Sequence, residues 1–468
     1  MLFEQSEKIR LDLILLTLLA AVLLLWNLGT GSLSSWDEGL YGEVSREILL
    51  TGDWIDLHWA GSPWSDKPPL YMWATALFSL IFGMNEFSVR LFSALCGIGT
   101  VLTTYLLGIR LYSRRAGFSA ALFLLSTWAF IWSSKMGMLD IPLTFFITLS
   151  LLLFDLGRKK NIFYFFCPVA FGLAFLTKGM GAMLIPMILL LYMIFAREFK
   201  PLKSGALWAG AAAGLIIAGW WHAAAILSYG EDFTHGYFIK HLISRTTSAV
   251  EGHTGDFFTY FGVIPNKGRP WAGIGLGLVP VAFFHSLFRG NRSHLLPLVW
   301  SVTVLLLFSV VRTKLHWYIM PLYPALSLLT GWGLSLLARR YTASVALVLC
   351  LGSVVYLGSD KAVFDLDYSP DTKKMASEAI ALSGKEKELY LYGISDPGMQ
   401  FYMGGSAENI RSGDRLSRIL SGEQEALILT DRDSLADLPL SGKRTILRNG
   451  PFILIESGRT AEQSGSSR

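Results

Sequence analysis

Long apolar runs, separated by short polar segments, fill most of the chain. A run of about 17 to 23 apolar residues is long enough to cross the hydrocarbon core of a bilayer. About eleven such runs can be placed, near residues 11–29, 88–109, 117–134, 138–157, 161–177, 179–196, 205–227, 271–288, 295–311, 317–337 and 342–358. The pattern predicts a polytopic α-helical membrane protein.

Clusters of lysine and arginine then decide the orientation of these spans. They flank alternate ends of the apolar runs: Lys8, Arg10, Arg110, Arg114, Arg115, Arg158, Lys159, Lys160, Arg197, Lys200, Lys203, Arg289, Arg292, Arg339 and Arg340. All of them fall on the cytoplasmic side if the N-terminus is cytoplasmic, in agreement with the positive-inside rule. No small-residue cleavage site follows the first run, so we expect it to be retained as a span of a multi-pass protein in the cell inner (plasma) membrane.

The apolar segment at residues 68–83, PPLYMWATALFSLIFG, needs a separate interpretation. It has about 16 residues, fewer than a span requires, and it begins with two prolines. Counting it as a span would invert everything after it and move the later basic clusters outside. We therefore expect a re-entrant or interfacial helix.

Composition agrees with a bilayer as the solvent of this chain. Of the 468 residues, 52% are hydrophobic and 16% are charged, whereas a soluble domain is about 25% charged. The net charge of +5 is too small to suggest a nucleic-acid partner. Cys96, Cys167 and Cys350 lie inside apolar runs without metal-binding spacing, which argues against both a disulfide framework and a zinc finger.

The topology divides the chain into two predicted domains. Residues 1–358 form a transmembrane domain with outer loops at 30–87 and 228–270, and residues 359–468 form a soluble extracytoplasmic domain. Within that second domain, strand-like runs and a helical stretch predict a small α/β fold. The strand-like runs are ELYLYGI, EALILT and PFILIE, and the helix lies near 371–382.

The first outer loop opens with SSWDEGLYGEVSREILLTGDW. Leu40, Val44 and Ile48 recur at helical spacing, which predicts a short amphipathic helix on the membrane surface. Ser34 or Ser35 would cap this helix and Gly52 would end it. Asp37 and Glu38 lie in its first turn, where the helix dipole favours anions. They could serve capping alone or supply catalytic carboxylates.

Four further ionisable residues lie at the predicted outer interface. Lys67 precedes two prolines and could bind a phosphate as a point charge or anchor the segment by snorkelling. Lys178 and Lys314 are outer cations that depart from the positive-inside pattern, which favours a phosphate-binding role. Asp140 begins the fourth span, where an ionisable group usually pairs or functions, although it could also cap the helix.

The second outer loop carries YFIKHLISRTTSAVEGHTGDFFTYF. Arg245 is the candidate for bidentate phosphate recognition. His241 and His253 could bind a divalent cation with an acidic partner, but their spacing fits no compact metal motif. His316, with Lys314, belongs to a further outer segment, RTKLHWYIMPLYPALSLL.

Charges of both signs thus converge on one membrane face, while the span centres hold almost none. An ion-coupled transporter needs ionisable groups or broken helices near the midplane. An interfacial enzyme that acts on a lipid-borne anion needs the arrangement found here. A lipid or polysaccharide transporter (flippase) nevertheless remains the alternative function from another class.

The ordered motifs resemble those of GT-C glycosyltransferases of family 39, which include bacterial aminoarabinose transferases and protein O-mannosyltransferases. The motifs are WDEGLYGEVSREIL with TGDW, DKPPLY, MLDIPLTFF, TKG, HLISR with GHTGDFFTY, and KLHWYIMPLYPAL. The resemblance implies inverting transfer of a hexosyl or pentosyl group from a polyprenyl-phosphate donor. The acceptor would be extracytoplasmic: lipid A, another envelope glycan or a protein.

The resemblance also assigns roles to individual residues. Asp37 corresponds to an acidic residue that acts as base or orients the acceptor, Lys67 to the lysine at the donor phosphate, and Asp140 to a second acidic position. Glu38 joins these catalytic candidates, and Arg245, Lys178 and Lys314 join the phosphate-binding ones. The candidates for substrate positioning are Tyr41, His241, His253, His316 and Tyr318. No cofactor is required; a divalent metal, with Asp66 and His253 as candidate ligands, is left open.

Overall fold

The computed structural model describes residues 2–234, 237, 254–384, 387–410, 412–421, 426–434 and 444–457. This part of the chain is mostly helical. In its first half the helices are α1 (Leu2–Leu25), α2 (Asp37–Thr51), α3 (Leu70–Phe82), α4 (Glu86–Leu111), α5 (Arg114–Leu125), α6 (Trp128–Lys135), α7 (Asp140–Gly157), α8 (Phe163–Lys178), α9 (Leu184–Ala196) and α10 (Gly205–Phe233).

The second half adds five apolar or interfacial helices and then a mixed sheet with short helices. The helices are α11 (Thr259–Lys267), α12 (Ala272–Arg289), α13 (Leu295–Val310), α14 (Tyr323–Ala338), α15 (Thr342–Gly358), α16 (Lys361–Phe364), α17 (Pro370–Ser383), α18 (Pro397–Met403) and α19 (Gly413–Ser421). A two-stranded hairpin, β1 (His58–Trp59) and β2 (Ser62–Pro63), lies in the first loop.

Length and hydropathy identify seven helical runs, within the described residues, that can cross a membrane. The number rises to eight if α5 and α6, which meet at a bend of 63°, form one span. Two of the seven runs, Phe163–Ala196 and His316–Gly358, are long and contain internal 3-10 turns. Gly179 and Arg339 lie at these turns with positive φ angles of 50° and 45°, so the helix is interrupted at both places. The structure is therefore that of an integral membrane protein.

Helix α3 occupies the segment that the sequence analysis set apart. It has 13 residues, which at the α-helical rise reach about 20 Å, short of the roughly 30 Å of a bilayer core. Gly83 ends it, and α4 begins at Glu86 with Asn85 as its N-cap.

The C-terminal part contains a five-stranded mixed sheet. Its strands are β3 (Glu388–Tyr392), β4 (Glu408–Ile410), β5 (Ala426–Asp431), β6 (Arg444–Asn449) and β7 (Phe452–Ser457), in the order β4-β3-β5-β7-β6. The first three are parallel, and β7 runs antiparallel to β5 and β6. Residues of β3 and β5 alternate between two apolar clusters, so both faces of the sheet are covered. We call residues 370–457 the sheet unit.

A buried arginine in α4 holds the first loop in place. The Arg90 side chain is fully buried, and its guanidinium donates to both carboxylate oxygens of Glu38, at 2.9 and 3.3 Å. It also donates to the carbonyls of Thr30 (2.9 Å), Ser32 (2.8 Å) and Leu366 (3.1 Å). One side chain therefore joins a span, the loop after α1 and the segment that enters the sheet unit.

The sheet unit packs directly on α2. The backbone N–H of Gly398 donates to the carbonyl of Ser35 at 3.0 Å, and the Tyr402 hydroxyl accepts from the N–H of Leu33 at 2.6 Å. Gly39 faces Gly398 so closely that a Cβ on Gly39 would lie 2.7 Å from the Gly398 nitrogen. The backbones touch at this point, and only glycine fits there.

We expect Arg90→Met to destabilise the protein strongly. Removing one partner of a buried ion pair costs about 3–5 kcal/mol, because the other charge stays buried and uncompensated. Thermal unfolding in detergent measures the loss. Arg110→Met is the control, since the Arg110–Asp155 pair is less buried. Equal, small losses in both variants would contradict the role given to Arg90, and adding Glu38→Gln to Arg90→Met should restore part of the stability.

Candidate functional site

A cavity of about 370 Å³ opens where α7, the turn between α8 and α9, and the end of α13 meet the loop before α3. Its ionisable and polar lining comes from Asp66, Lys67, Asp140, Lys178, Tyr237 and Tyr318. All of these except Tyr237 are residues that the sequence analysis selected. They are far apart in the sequence, and the helix ends bring them together.

Asp140 and Lys178 form the central ion pair of the cavity. The Lys178 Nζ lies 2.6 Å from Oδ1 of Asp140, whose side chain is 5% exposed. Asp140 is the first residue of α7 and Lys178 the last of α8, the two ends where a helix dipole favours an anion and a cation respectively. Lys178 also lies 5.3 Å from the centroid of the Tyr318 ring, in cation–π geometry. Its ammonium is thus fixed at the cavity wall.

Lys67 supplies a second ammonium to the same cavity. Two prolines follow it, and a residue before proline is restricted to an extended backbone, so the Asp66–Lys67 segment reaches the cavity before α3 begins. Lys67 is close enough to Asp140 for an attractive electrostatic interaction between the ammonium and the carboxylate. The ionisable groups of the cavity are therefore two cations, the buried carboxylate of Asp140 and the partly buried carboxylate of Asp66.

Asp37 lies next to this group of charges. It is the first residue of α2, it is partly buried, and its Oδ1 accepts a hydrogen bond from the Tyr41 hydroxyl at 3.2 Å. Asp37 also interacts electrostatically with Asp140, but the two carboxylates repel each other. Asp37 does not itself line the cavity in the described part of the chain.

The start of α2 differs from the expected one. Trp36, and neither Ser34 nor Ser35, occupies the N-cap position, and no side chain caps the helix. Gly52 ends the helix with a φ of 74°, as expected. Asp37 is a first-turn residue whose carboxylate is held by Tyr41.

The remaining wall of the cavity is apolar and continues to the outer surface of the helices. Leu184 and Met187 come from α9, and Leu307 and Phe308 come from α13. Met187 is 37% exposed, and Val310 at the end of α13 is 72% exposed. This surface suits a hydrocarbon chain that lies in the bilayer with an anionic head group between the two lysines.

Two selected residues have partners that give them a structural role. Glu38 is fully buried, binds Arg90, and accepts the backbone N–H groups of Gly137 (2.6 Å) and Ser34 (2.9 Å). The Lys314 ammonium donates at 2.7 Å to the carbonyls of Phe308 and Ser309 and so covers the end of α13. Burial lowers the pKa of Lys314, and Asp256 acts in the opposite direction.

The other selected residues lie away from the cavity or outside the described chain. His316 packs against Trp132 and Trp317, with ring centroids 5.3 and 4.6 Å apart. His241, Arg245 and His253 lie outside the described residues. Among the residues that are described, no group of three His, Cys, Asp or Glu side chains could hold a metal ion.

Two features of the site were missed at the sequence level. Tyr237 lines the cavity, and its hydroxyl lies 3.2 Å from Nε2 of the buried His222. Gly179, after Lys178, has a φ of 50°, and a Cβ there would lie 2.3 Å from the Tyr237 hydroxyl. The one sequence signal for this close approach was the glycine of the TKG motif, Gly179. For Arg90 a signal did exist, because a lone arginine in an apolar run is expensive and must be paired.

Comparisons with known proteins identify relatives of this chain. Residues 66–222 match the family described as dolichyl-phosphate-mannose-protein mannosyltransferase. An uncharacterised protein of Aquifex aeolicus is 30% identical over 353 residues, which are 74% of this chain and 79% of that protein. The undecaprenyl phosphate-alpha-4-amino-4-deoxy-L-arabinose arabinosyl transferase of Pseudomonas aeruginosa is 31% identical over 348 residues, or 70% of this chain. The chain spans only 62% of that transferase.

Solved structures share the fold. ArnT from Cupriavidus metallidurans, bound to undecaprenyl phosphate, superposes with a TM-score of 0.78 and 21% identity, covering 97% of this chain and 99% of that one. The oligosaccharyltransferase of Archaeoglobus fulgidus has a TM-score of 0.61 at 12% identity, covering 91% of this chain and 70% of that one. Because it matches this family model and these relatives, the chain belongs to the GT-C family of membrane glycosyltransferases.

Proposed function

We propose that the protein transfers a sugar, with inversion, from a polyprenyl-phosphate donor to an acceptor outside the cytoplasm. The observation that carries the proposal is the cavity in which Lys67 and Lys178 face the end of an apolar surface. A polyprenyl phosphate has this combination of anionic head and hydrocarbon tail. A transporter is not favoured, because the relatives with assigned activities are transferases.

In this proposal the two lysines bind and stabilise the phosphate. Charge grows on the phosphate oxygen as the glycosidic bond breaks, and fixed cations are most effective where such charge develops. Asp140 holds the Lys178 ammonium in place through the 2.6 Å contact, so we assign Asp140 to positioning. Arg245 remains our candidate for a further phosphate ligand from the second outer loop.

Asp37 is the proposed general base. An acceptor hydroxyl attacks the anomeric carbon, the bond to the phosphate oxygen breaks, and the polyprenyl phosphate leaves with the electron pair. The hydroxyl proton passes to Asp37, which the Tyr41 hydroxyl orients. A phosphate is a good leaving group, so one carboxylate suffices for the proton transfer. His241, His253, His316 and Tyr318 remain candidates for acceptor positioning, and Asp66 with His253 for a divalent metal.

The proposed topology has eleven crossings. Helices α8 and α9 each cross, as do α14 and α15, because the chain leaves helical geometry at Gly179 and Arg339 between them; α5 and α6 together make one bent span. The N-terminus is then cytoplasmic. Residues 1–358 form the transmembrane domain, and residues 359–468 an extracytoplasmic α/β domain.

A topology reporter fused after Ser359 tests this arrangement. Alkaline phosphatase is active only outside the cytoplasm, and green fluorescent protein fluoresces only inside it. Because the eleventh crossing places Ser359 outside, we expect a phosphatase fusion there to be active and a green fluorescent protein fusion to show no fluorescence. A paired fusion after Lys160, which should report the opposite side, is the control. Cytoplasmic reporter activity after Ser359 would mean that the number of crossings is even.

Replacing either lysine should weaken use of the donor. Losing one hydrogen bond to a charged group costs about 1.5–3 kcal/mol, so we expect Lys67→Gln and Lys178→Gln to lower kcat/KM for the donor roughly tenfold to a hundredfold. Lys178→Gln should be the more harmful, since it also leaves the buried Asp140 unpaired. Lys159→Gln, at an exposed basic cluster, is the charge-matched control. Unchanged donor kinetics in both cavity variants would remove the lysines from the site.

Asp37→Asn tests the catalytic step itself. Asparagine keeps the size and a hydrogen-bond acceptor for Tyr41 but cannot take a proton, so turnover should fall by about 10²–10⁴-fold with donor binding retained. Asp140→Asn should lose less, and Tyr41→Phe should lose less again. Sugar transfer can be followed by mass spectrometry of acceptor lipids, glycans or proteins. If Asp37→Asn transferred at nearly the wild-type rate, the proposed base would be wrong while the fold assignment would stand.

A further inference from the structure

A second charged cavity, of about 620 Å³, lies at the opposite ends of the helices from the first one. Helix α4 runs from Glu86, beside the sheet unit, to Leu111, and α5 begins just after it. The cavity lies at this second end, between the N-terminal part of α1, the start of α5 and the turn from α14 to α15. Its lining includes five cations: Lys8, Arg114, Arg115, Arg339 and Arg340.

Two helix N-termini add to the positive potential. Ser113 and Thr342 line the cavity, and α5 and α15 begin at Arg114 and Thr342. The N-terminus of a helix carries partial positive charge, which attracts an anion, although the Ser113 side chain already accepts from the Ala116 N–H and the Thr342 N–H donates to the Arg339 carbonyl. The described part of the cavity wall contains no acidic side chain.

Protein partners offset only part of this charge. Arg114 lies 2.5 Å from Asp12, but its Nε is buried without a hydrogen-bond partner among the described residues. Arg340 donates to the Tyr341 hydroxyl at 2.7 Å, a contact that leaves its charge in place. The positive-inside rule accounts for cations on this face, but it does not require three separate segments to surround one cavity.

The apolar surface beside the cavity indicates which kind of anion would bind there, a lipid head group or a free ion. Leu11 on α1 is 64% exposed, and Leu337 at the end of α14 is 85% exposed. Apolar side chains of this kind contact acyl chains when a helix lies in a bilayer. A free phosphate ion would use only the cations, whereas a phospholipid would use the cations and this apolar surface together.

We infer that this cavity is a binding site for the phosphate head group of an anionic phospholipid of the facing leaflet. The lipid would join α1, α5 and the α14–α15 turn, at the end of the bundle away from the donor cavity. The site is independent of the proposed transfer reaction and takes a different ligand.

Native mass spectrometry of the full-length protein in detergent tests the site. Phosphatidylglycerol is the probe, phosphatidylcholine is the zwitterionic comparison, and inorganic phosphate is the soluble competitor. We expect the wild-type protein to retain phosphatidylglycerol at least tenfold more strongly than phosphatidylcholine. Arg115→Gln with Arg340→Gln should lower that retention by about tenfold or more, since each cation near a lipid surface contributes roughly fivefold.

The control is Lys159→Gln with Lys160→Gln, which removes the same charge from exposed positions outside the cavity. Its retention of phosphatidylglycerol should stay close to that of the wild type. An equal loss in both double variants, or no preference between the two lipids in the wild type, would overturn the site. Displacement of the lipid by millimolar phosphate would also overturn it, because the ligand would then be a soluble anion. Unfolding temperatures of the variants identify any loss that comes from misfolding.

Discussion

The structure depends on one buried ion pair, Arg90 with Glu38. Burying either charge alone would be prohibitive in this setting, so the two must meet. The remaining guanidinium donors are satisfied by backbone carbonyls from the first loop and from the segment before the sheet unit. Because α2 begins beside Glu38, this pair fixes where Asp37 stands. The proposed base is thereby held, through Glu38, against the span that contains Arg90.

The cavity that Asp140 and Lys178 line shows how helix ends can build a charged site at a membrane surface. Charged residues cannot be placed freely along the spans, but they are tolerated where a helix begins or ends and its dipole has the right sign. Asp140 and Lys178 use the two opposite ends of neighbouring helices in this way. The rest of the cavity wall is apolar because the same helices carry apolar side chains on their lipid-facing sides.

Much of this site could be predicted from the sequence. Lys67, Asp140, Lys178 and Tyr318 were selected by motif and by their position at the ends of apolar runs, and the structure places them in one cavity. The sequence could not show that Glu38 and Lys314 have structural roles. The partner of Glu38 is Arg90, 52 residues further along the chain, and Lys314 binds carbonyls at the end of α13. The contact between Tyr237 and Gly179 is likewise a matter of tertiary packing, which no local pattern encodes. The strand-like runs near 388–394, 425–430 and 451–456 did predict three of the sheet strands, since buried strands have a distinctive composition.

The contact between the sheet unit and α2 has a consequence for biosynthesis. Ribosomes add residues in order, so Asp37 and Lys67 are synthesised long before Leu366, Gly398 and Tyr402. The carbonyl that completes the Arg90 donors and the backbone that covers Gly39 arrive only with the end of the chain. A nascent polypeptide with all its spans inserted would still lack these contacts to Arg90 and α2. The position of Asp37, the proposed base, would therefore be fixed only after the end of the chain had docked on α2.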